Sequence, residues 1–484
     1  MKSKSIGKNA ILNMIRQGLS IVFPLIAYPY AVRTLGPSSL GKVNFVQSFI
    51  DYFSLLAMLG VSNYVIREGS RIRDNRSQFI TFTNEVYTIN VIFTCISYLI
   101  LFSLTFCVPK LSDYKTLILL QSISLALTTF GIDWINTIYE DFFKITIRSI
   151  CTYIITIILL FTFVKNENDY YIYSLLTVIT NGIICITNRI TCSKYLSLKL
   201  TKNINFKKHI IPLLILFVNM IAITINTNFD TTMIGWIKGD YDVGIYSLPV
   251  KIYTVIKNMI FAIYVVALPR LSYYVGKNEL MNYKMLNSQI WAYLILFTLP
   301  ISAGLEICAK YIILIMGGTA LIRSVSVLRL LSLVLFFSIL SGVIMNAMNI
   351  SLKKEKDNLI VTIISALINI ILNFLFIPIF SYNGAAFTTL ISEIALFVLC
   401  IVRFPNLRDY LDIKLIVKEL IHAFCGVISI VITTLIIVNL NFQDMKTFIC
   451  IVICSVFSYI ATLFLLRDSI LISLFNNIKF KKSI

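Results

Sequence analysis

Long apolar segments alternate with short polar ones from one end of the chain to the other. Most apolar runs reach the roughly 20 residues that a helix needs to cross the hydrocarbon core of a bilayer. Such runs, joined by short polar connections, are typical of a multi-pass helical membrane protein. The pattern predicts an all-α integral membrane fold with about fourteen transmembrane helices, near 10–32, 43–66, 80–107, 114–138, 143–164, 170–189, 210–236, 243–268, 288–308, 325–350, 358–380, 384–402, 415–440 and 446–466.

Basic residues are concentrated in alternate connections between these runs. The N-terminal segment carries Lys2, Lys4 and Lys8, and the 189–209 connection carries six basic residues and no acidic one. Because Lys and Arg accumulate on the cytoplasmic side of membrane proteins, both termini and the 189–209 connection are predicted to be cytoplasmic. This connection is interpreted mainly as an orientation signal that contacts anionic lipid headgroups, and a docking site for a cytoplasmic partner is the alternative.

The composition agrees with a chain that lies almost wholly within the membrane. Of 484 residues, 58% are hydrophobic and only 13% are charged, whereas soluble domains carry about 25% charged residues. Fourteen spanning helices use nearly the whole length, so no soluble domain of ordinary size is expected. The net charge of +19 would suit nucleic acid, but the basic residues follow the membrane-orientation pattern, so no nucleic-acid partner is predicted.

An internal repeat relates the segment that enters the second predicted helix to the segment that enters the eighth. Both contain two glycines followed by polar residues at helical spacing. Repeated bundles of helices that move around a central site are common in transporters. At a constant offset of 203 residues, the matched pairs are Gly36 with Gly239, Gly41 with Gly244, Asn44 with Ser247, Ser48 with Lys251 and Asp51 with Thr254.

Polar residues form narrow stripes on four of the predicted helices. At 100° per residue, positions spaced by 4, 7 and 11 residues share one face of a helix. The stripes are Asn13, Gln17, Ser20 and Pro24 with Arg16 beside them on the first helix, and Asn44, Ser48 and Asp51 with Gln47 on the second. They continue with Asn219, Asn226 and Asp230 on the seventh, and with Ser247, Lys251, Thr254 and Asn258 with Lys257 on the eighth.

Two interpretations of these stripes remain open. Polar side chains are costly in lipid, so they face a hydrated cavity or hydrogen-bond neighbouring helices. The neutral residues favour interhelical hydrogen bonding. The charged ones favour a functional cavity, because a charge near the bilayer centre costs about 2.5–3.5 kcal/mol on insertion scales. The predicted substrate pathway comprises Arg16, Gln17, Asn44, Ser48, Asp51, Asp230, Lys251, Thr254, Lys257 and Asn258. Glu85, Asp133, Arg329 and Glu393 are charges in apolar runs that belong to no stripe.

Motifs for catalysis or metal binding are missing from the sequence. It has no phosphate-binding glycine-rich loop, no Gly-x-Ser-x-Gly and no zinc-type spacing. His209 and His422 lie near predicted membrane edges, and most of the ten cysteines lie within apolar runs, as small packing residues do. We therefore expect no catalytic residue, no metal, no disulfide and no enzymatic activity.

The N-terminal region resembles a known family of exporters. The chain contains Pro-x-x-x-Arg-x-Leu-Gly-Pro from Pro29 to Pro37, then Gly41, Leu59-Gly60 and Arg67-Glu68. The segment NFDTTMIGWIKGDYDVGIYSLPVKIYTVI and the following LPRLS at 268–272 also fit. In these motifs the chain resembles the Wzx-type polysaccharide-unit flippases of the multidrug/oligosaccharidyl-lipid/polysaccharide exporter superfamily.

The resemblance implies a domain organisation. It implies a six-helix lobe at 1–200, a second six-helix lobe at 201–408, and two additional helices with a cytoplasmic tail at 409–484. It also implies a bacterial cytoplasmic (inner) membrane location.

The resemblance also implies a substrate and a mechanism. The substrate is an undecaprenyl-diphosphate-linked oligosaccharide, turned to the outer leaflet by alternating access. Arg16, Lys251 and Lys257 would then neutralise the diphosphate, while the prenyl tail stays in lipid. No cofactor is implied, although coupling to protons or sodium through Asp51 or Asp230 is open, as are partners among other polysaccharide assembly proteins. The alternative function is an ion-coupled small-molecule exporter of the multidrug type.

Overall fold

A computed structural model describes residues 6–139, 142–193, 198–404, 406–440 and 444–472. Every regular element in these ranges is helical. The α-helices are α1 Ile6–Met58, α2 Val61–Ile72, α3 Arg76–Cys107, α4 Pro109–Ser112, α5 Lys115–Gly131, α6 Asp133–Ile138, α7 Phe142–Phe163, α8 Tyr170–Cys192, α9 Phe206–Ile237, α10 Asp240–Gly276, α11 Leu280–Gly317, α12 Ser324–Val343, α13 Glu355–Val402, α14 Leu407–Tyr410, α15 Ile413–Asn439 and α16 Asp444–Leu465. Single turns of 3₁₀-helix at Glu167–Asp169 and Thr319–Leu321 and a π-helix at Ile344–Asn349 complete the set.

The predicted all-α membrane fold is confirmed. Eleven described helices are long and apolar enough to span a bilayer. Two of them contain a break and so supply two spans each. The break lies at Gly36 (φ 70°) in α1 and at Ser381 (φ 53°) in α13. With the 37-residue α10, the described helices supply the fourteen membrane-length segments that the sequence predicted.

Two predicted spans are interrupted where the sequence suggested continuous helices. The run 43–66 breaks at Leu59 (φ 44°) and Gly60 (φ 74°), and α2 begins only after them. The run 114–138 breaks at Ile132 (φ 41°), between α5 and α6. A β-branched residue in the left-handed region is strained, so packing of the surrounding helices holds this turn. Ile132 is buried in one cluster with Trp134, Ile135 and Cys192.

The chain forms two compact units, Met1–Gly244 and Ile245–Ile484, here called unit 1 and unit 2. In unit 1, α2, α3, α6 and the start of α9 share a core of apolar residues that includes Tyr64 and Phe79. In unit 2, α11, α15 and α16 meet around Cys308, Ile437 and Ile451. The predicted lobe boundaries near residues 200 and 408 stay a prediction.

Large apolar side chains are exposed along the outer helices of both units. Leu99 on α3, Ile379 on α13 and Phe457 on α16 are each about 70% exposed, and many other Ile, Leu and Phe side chains accompany them. A water-soluble protein rarely exposes continuous apolar surface on this scale. In a bilayer the same residues contact acyl chains, so the exposed surface agrees with a multi-pass membrane protein.

The matched glycines of the internal repeat have matched backbone roles in unit 1. Gly36 and Gly239 both adopt positive φ, at 70° and 100°, where a helix is broken or about to begin. Gly41 and Gly244 both permit close contact: a Cβ on Gly41 would lie 1.8 Å from the Asp240 carbonyl oxygen, and one on Gly244 would lie 1.9 Å from that of Pro37. Only glycine fits at such distances, so α1 and the first turn of α10 cross backbone to backbone.

Candidate functional site

A polar cluster in unit 1 joins α1 to α9. The Asp51 carboxylate accepts hydrogen bonds from the Gln47 amide at 2.8 Å and from the Asn228 amide at 2.9 Å. One turn away, the Ser48 and Thr232 hydroxyls lie 2.9 Å apart. The Asp51 cluster (Gln47, Ser48, Asp51, Asn228, Thr232) is therefore an interhelical hydrogen-bond network within a half-buried environment, the kind of contact expected between membrane helices.

The other pathway residues predicted in unit 1 occupy different surroundings. Asn44 donates to the Tyr28 hydroxyl at 3.2 Å, which links the two halves of α1 on either side of Gly36. Asp230 is buried on α9, two residues from both Asn228 and Thr232. The side chains of Arg16 and Gln17, like those of the stripe residues Asn13, Asn219 and Asn226, lie outside the described residues.

A second polar cluster lies in unit 2, around Lys257 of α10. Its ammonium nitrogen lies 3.5 Å from the Glu393 carboxylate of α13 and donates to the Tyr253 hydroxyl at 3.2 Å. The same ammonium lies over the rings of Tyr253 and Phe261, 5.4 and 5.5 Å from their centroids. The Ser338 hydroxyl donates to Glu393 at 3.2 Å. In this Lys257 cluster, the lysine has its own counter-charge and aromatic contacts that stabilise the cation.

The remaining predicted pathway residues of α10 point differently from Lys257. Lys251, Thr254 and Asn258 are exposed, whereas Ile252 and Val255 between them are buried. The spacing that defined the stripe therefore corresponds to an exposed polar face of α10. Lys251 is exposed on this face, and an anionic ligand would reach Lys257 in competition with Glu393.

An apolar groove of about 480 Å³ also lies in unit 2. Its walls come from α10, α11, α15 and α16, and they include Ile256, Phe297, Gly304, Ile430 and Tyr459. Nothing lies within 4 Å of the position that a Cβ on Gly304 would occupy, so this glycine leaves open space in the groove. Its size lies within the range of ligand-binding cavities, and its lining suits a hydrocarbon chain.

Several site residues could not be identified from the stripes. Glu393 was visible only as an isolated charge in an apolar run, and its partner stands 136 positions earlier in the chain. Asn228 and Thr232 flank the predicted Asp230 on α9, and both hydrogen-bond to residues of α1. The groove has no sequence signal, because its walls consist of ordinary apolar residues on helices distant in sequence.

The other isolated charges have structural partners where the structure describes them. The Glu85 carboxylate lies 2.7 Å from Nε2 of the buried His209, within hydrogen-bond distance. The other ring nitrogen, Nδ1, lies 2.9 Å from the Tyr64 hydroxyl. Arg329 lies 3.8 Å from Glu306 in a half-exposed pair. The side chain of Asp133 lies outside the described residues.

Comparisons with known proteins give matches over most of the chain. The family model described as "Polysaccharide biosynthesis protein" matches residues 6–275, and the one described as "MatE" matches residues 216–375. The chain is 23% identical over 398 residues to the "Putative O-antigen transporter" of Escherichia coli (strain K12), a match covering 80% of this chain and 94% of that protein.

Solved structures share the fold at lower sequence identity. A lipid II flippase, MurJ, in an inward closed conformation superposes with a TM-score of 0.78 at 16% identity, covering 95% of this chain and 100% of that one. An inward-facing multidrug resistance transporter of the MATE family gives a TM-score of 0.60 at 15% identity, covering 82% and 98%. Identities at this level establish a common fold.

Proposed function

The chain belongs to the polysaccharide biosynthesis protein family, and from this premise we propose that it is a flippase for undecaprenyl-diphosphate-linked oligosaccharide units. It would move these units, such as those of O-antigen or capsule, from the inner to the outer leaflet by alternating access. The related "Putative O-antigen transporter" and the fold shared with a lipid II flippase support this proposal.

The observation that carries the proposal is the amphiphilic character of α10 in unit 2. Ile256 lines the apolar groove, while Lys251, Thr254 and Asn258 present an exposed polar face on the same helix. A lipid-linked sugar has the same division, with a long hydrocarbon chain attached to an anionic diphosphate. The groove would hold part of the prenyl chain, and Lys251 would contact the diphosphate through charge-assisted hydrogen bonds.

The rest of the predicted pathway keeps its proposed roles. Arg16 and Lys257 would be further counter-charges, and the amides and hydroxyls of Gln17, Asn44 and Ser48 would contact sugar hydroxyls. The coupling ion stays open between a proton and sodium, at Asp51, Asp230 or the Lys257 cluster.

We further propose that the protein acts in the bacterial inner membrane with both termini in the cytoplasm. In this role it would catalyse no chemical step and would need no cofactor. Its partners would be the lipid-linked substrate and membrane lipids, and other polysaccharide assembly proteins are open as additional partners. A multidrug-type exporter is the second candidate, favoured by the MatE match to residues 216–375. The basic residues on α10 support the anionic lipid instead.

Deletion of the gene, followed by complementation, tests the proposal. We expect the deletion strain to lose surface polysaccharide and to accumulate lipid-linked units on the inner leaflet, and the wild-type gene to reverse both effects. Extraction and quantification of undecaprenyl-linked sugars measures the accumulation. Normal surface polysaccharide in a strain without a second copy would contradict the proposed function.

A variant of the groove tests where the prenyl chain binds. Gly304→Phe fills open space, so the protein should reach normal abundance but lose about tenfold or more of its export. If the phenyl ring displaces only two CH₂ groups of the prenyl chain, the loss of about 0.8 kcal/mol for each already corresponds to a tenfold weaker interaction. Gly304→Ala should retain activity, and Leu367→Phe on exposed α13 is the matched control. Full export by Gly304→Phe would exclude the groove as the tail site without excluding the function.

A further inference from the structure

Three ionisable side chains meet where α15 lies against the end of α16, away from the predicted pathway. Glu419 and His422 are one turn apart on α15, and Asp468 lies just beyond α16. One potential ligand atom from each of the three lies within 4.8 Å of the other two. Glu419 and Asp468 are fully buried, and the His422 side chain is 12% exposed.

Glu419 is the unusual member of this group, which we call the Glu419 site. Both of its carboxylate oxygens are buried, and neither has a hydrogen-bond partner among the described residues. Burying a carboxylate without compensation is strongly unfavourable. A second buried carboxylate nearby increases that cost, because like charges repel. The arrangement therefore needs a positive charge between the two carboxylates, or a proton that neutralises one of them.

Asp468 and His422 are already oriented for ligation. One Asp468 oxygen accepts hydrogen bonds from the backbone N–H groups of Ile470 and Leu471 at 3.0 and 2.8 Å. The other oxygen lies 2.7 Å from Nδ1 of His422. Backbone and imidazole contacts of this kind fix the orientation of carboxylate ligands at metal sites.

We propose that Glu419, His422 and Asp468 bind one divalent transition-metal ion of the zinc or manganese class. One imidazole and two carboxylates form a nitrogen and oxygen donor set that suits these ions. Binding displaces any proton held among the three groups, and the two negative charges balance the charge of the ion. Tetrahedral ligands at about 2.0–2.2 Å from a metal stand about 3.3–3.6 Å apart, so the His422 nitrogen and the Asp468 oxygen, now 2.7 Å apart, would separate by about 0.6–0.9 Å.

The site has an access path from the protein surface. His422 lines an open surface depression of about 470 Å³ together with Ile413, Lys414, Val417, Lys418 and Ile421. The two lysines repel an approaching cation, so the attraction must come from the buried carboxylates. The sequence signal for a metal site is a set of closely spaced ligands, whereas His422 and Asp468 stand 46 positions apart, so no metal was expected.

A bound ion would fasten the end of α16 to α15. Leu471, whose N–H donates to Asp468, also lines the apolar groove. The metal would therefore hold one part of the groove wall in place. This consequence depends on the geometry of unit 2 and not on which substrate the protein carries.

Metal analysis of the full-length protein tests the proposal. The protein is purified in detergent through an affinity tag without histidine, equilibrated with Zn²⁺ or Mn²⁺, and freed of loose metal by gel filtration. Mass spectrometry should find about one ion per chain, the stoichiometry expected of a single three-ligand site. Glu419→Gln and His422→Gln should each lower the affinity about 10–100-fold or abolish binding. Metal should raise the unfolding temperature of the wild type but not of these two variants.

The second histidine provides a matched control. His209 pairs with a single carboxylate, Glu85, and has no third ligand among the residues that the structure describes. His209→Gln should keep the full metal content, and its Cu²⁺-loaded form should show coupling to His422 as the one remaining histidine by electron paramagnetic resonance. Metal content in the wild type no higher than in Glu419→Gln would overturn the proposal and leave a proton shared between Glu419 and Asp468. Should the Glu419 variant not fold, the absence of histidine coupling in His209→Gln would overturn the proposal in the same way.

Discussion

Individual charges in the apolar runs differ in what surrounds them. Lys251 and Lys257 were both predicted in the substrate pathway, Lys251 on the polar stripe of one helix and Lys257 beside that stripe. In the structure Lys251 is exposed, whereas Lys257 is paired with Glu393 and lies over two aromatic rings. Helical spacing fixes the direction in which a side chain leaves the helix. It carries no information about a partner 136 positions away in the chain, so the ion pair between Lys257 and Glu393 could not be identified from the sequence.

The two lysines should therefore respond differently to truncation. Lys251→Ala should leave membrane abundance unchanged and lower export about 10–100-fold, because a charge-assisted hydrogen bond to the diphosphate contributes about 1.5–3 kcal/mol. Lys251→Arg should retain part of the activity, since the positive charge persists. Immunoblots of membranes, measured beside surface polysaccharide, separate the two effects. Unchanged export by Lys251→Ala would remove Lys251 from the proposed pathway.

Lys257→Ala should instead reduce stability as well as export. It leaves the Glu393 carboxylate, one oxygen of which is buried without a hydrogen-bond partner among the described residues, without its counter-charge. The cost should be about 1–3 kcal/mol, between the values for exposed and fully buried ion pairs. The double variant Lys257→Ala, Glu393→Ala should recover abundance. A single variant as thermostable in detergent as the wild type would show that the pair adds nothing to folding.

At the scale of helices, the sequence predicted the spans well and their interruptions poorly. Apolar length is a collective property of about twenty residues, so it survives local variation. The break at Ser381 falls between the predicted runs 358–380 and 384–402, whereas the break at Ile132 interrupts a predicted run and depends on packing of neighbouring helices. Gly36, Gly41, Gly239 and Gly244 could be identified because the repeat presents them twice at one offset. Their structural roles, positive φ and close contact, also occur in pairs.

The contact between α1 and the first turn of α10 should tolerate no added side chain. Gly244→Ala would place a methyl carbon 1.9 Å from the Pro37 carbonyl oxygen, so the two backbones must separate. Overpacking of this kind costs about 1–3 kcal/mol. We expect a lower unfolding temperature in detergent for Gly244→Ala and for the repeat-related Gly41→Ala. Gly304→Ala is the control. This glycine also lies in a helix, but nothing lies within 4 Å of the added Cβ, so the unfolding temperature of this variant should not fall.

At the scale of the molecule, the membrane fold and its approximate number of helices follow from composition and hydropathy. The apolar groove and the Glu419 site do not, because each is assembled from helices that the chain reaches at widely separated positions. The sidedness of the protein rests on charge asymmetry, which acts during insertion and leaves no direct mark on internal packing. The structure nevertheless shows which parts of the chain should share one side of the membrane. The backbone N–H groups of Lys199 and Thr201 donate to Asn84 and Thr88 of α3, so the 189–209 connection lies beside the first half of α3.

This contact makes the topology testable at two linked positions. Lys202 is exposed in the connection, and Asp74 lies just before α3, so both should face the cytoplasm. Lys165, exposed between α7 and α8, should face the opposite side. In a chain whose ten cysteines have been replaced, a membrane-impermeant maleimide should label Lys165→Cys in intact cells. It should label Lys202→Cys and Asp74→Cys only after permeabilisation.

Labelling of Lys202→Cys from outside would reverse the predicted orientation. Opposite results at positions 74 and 202 would contradict the packing of the connection against α3, because both positions adjoin the same end of that helix.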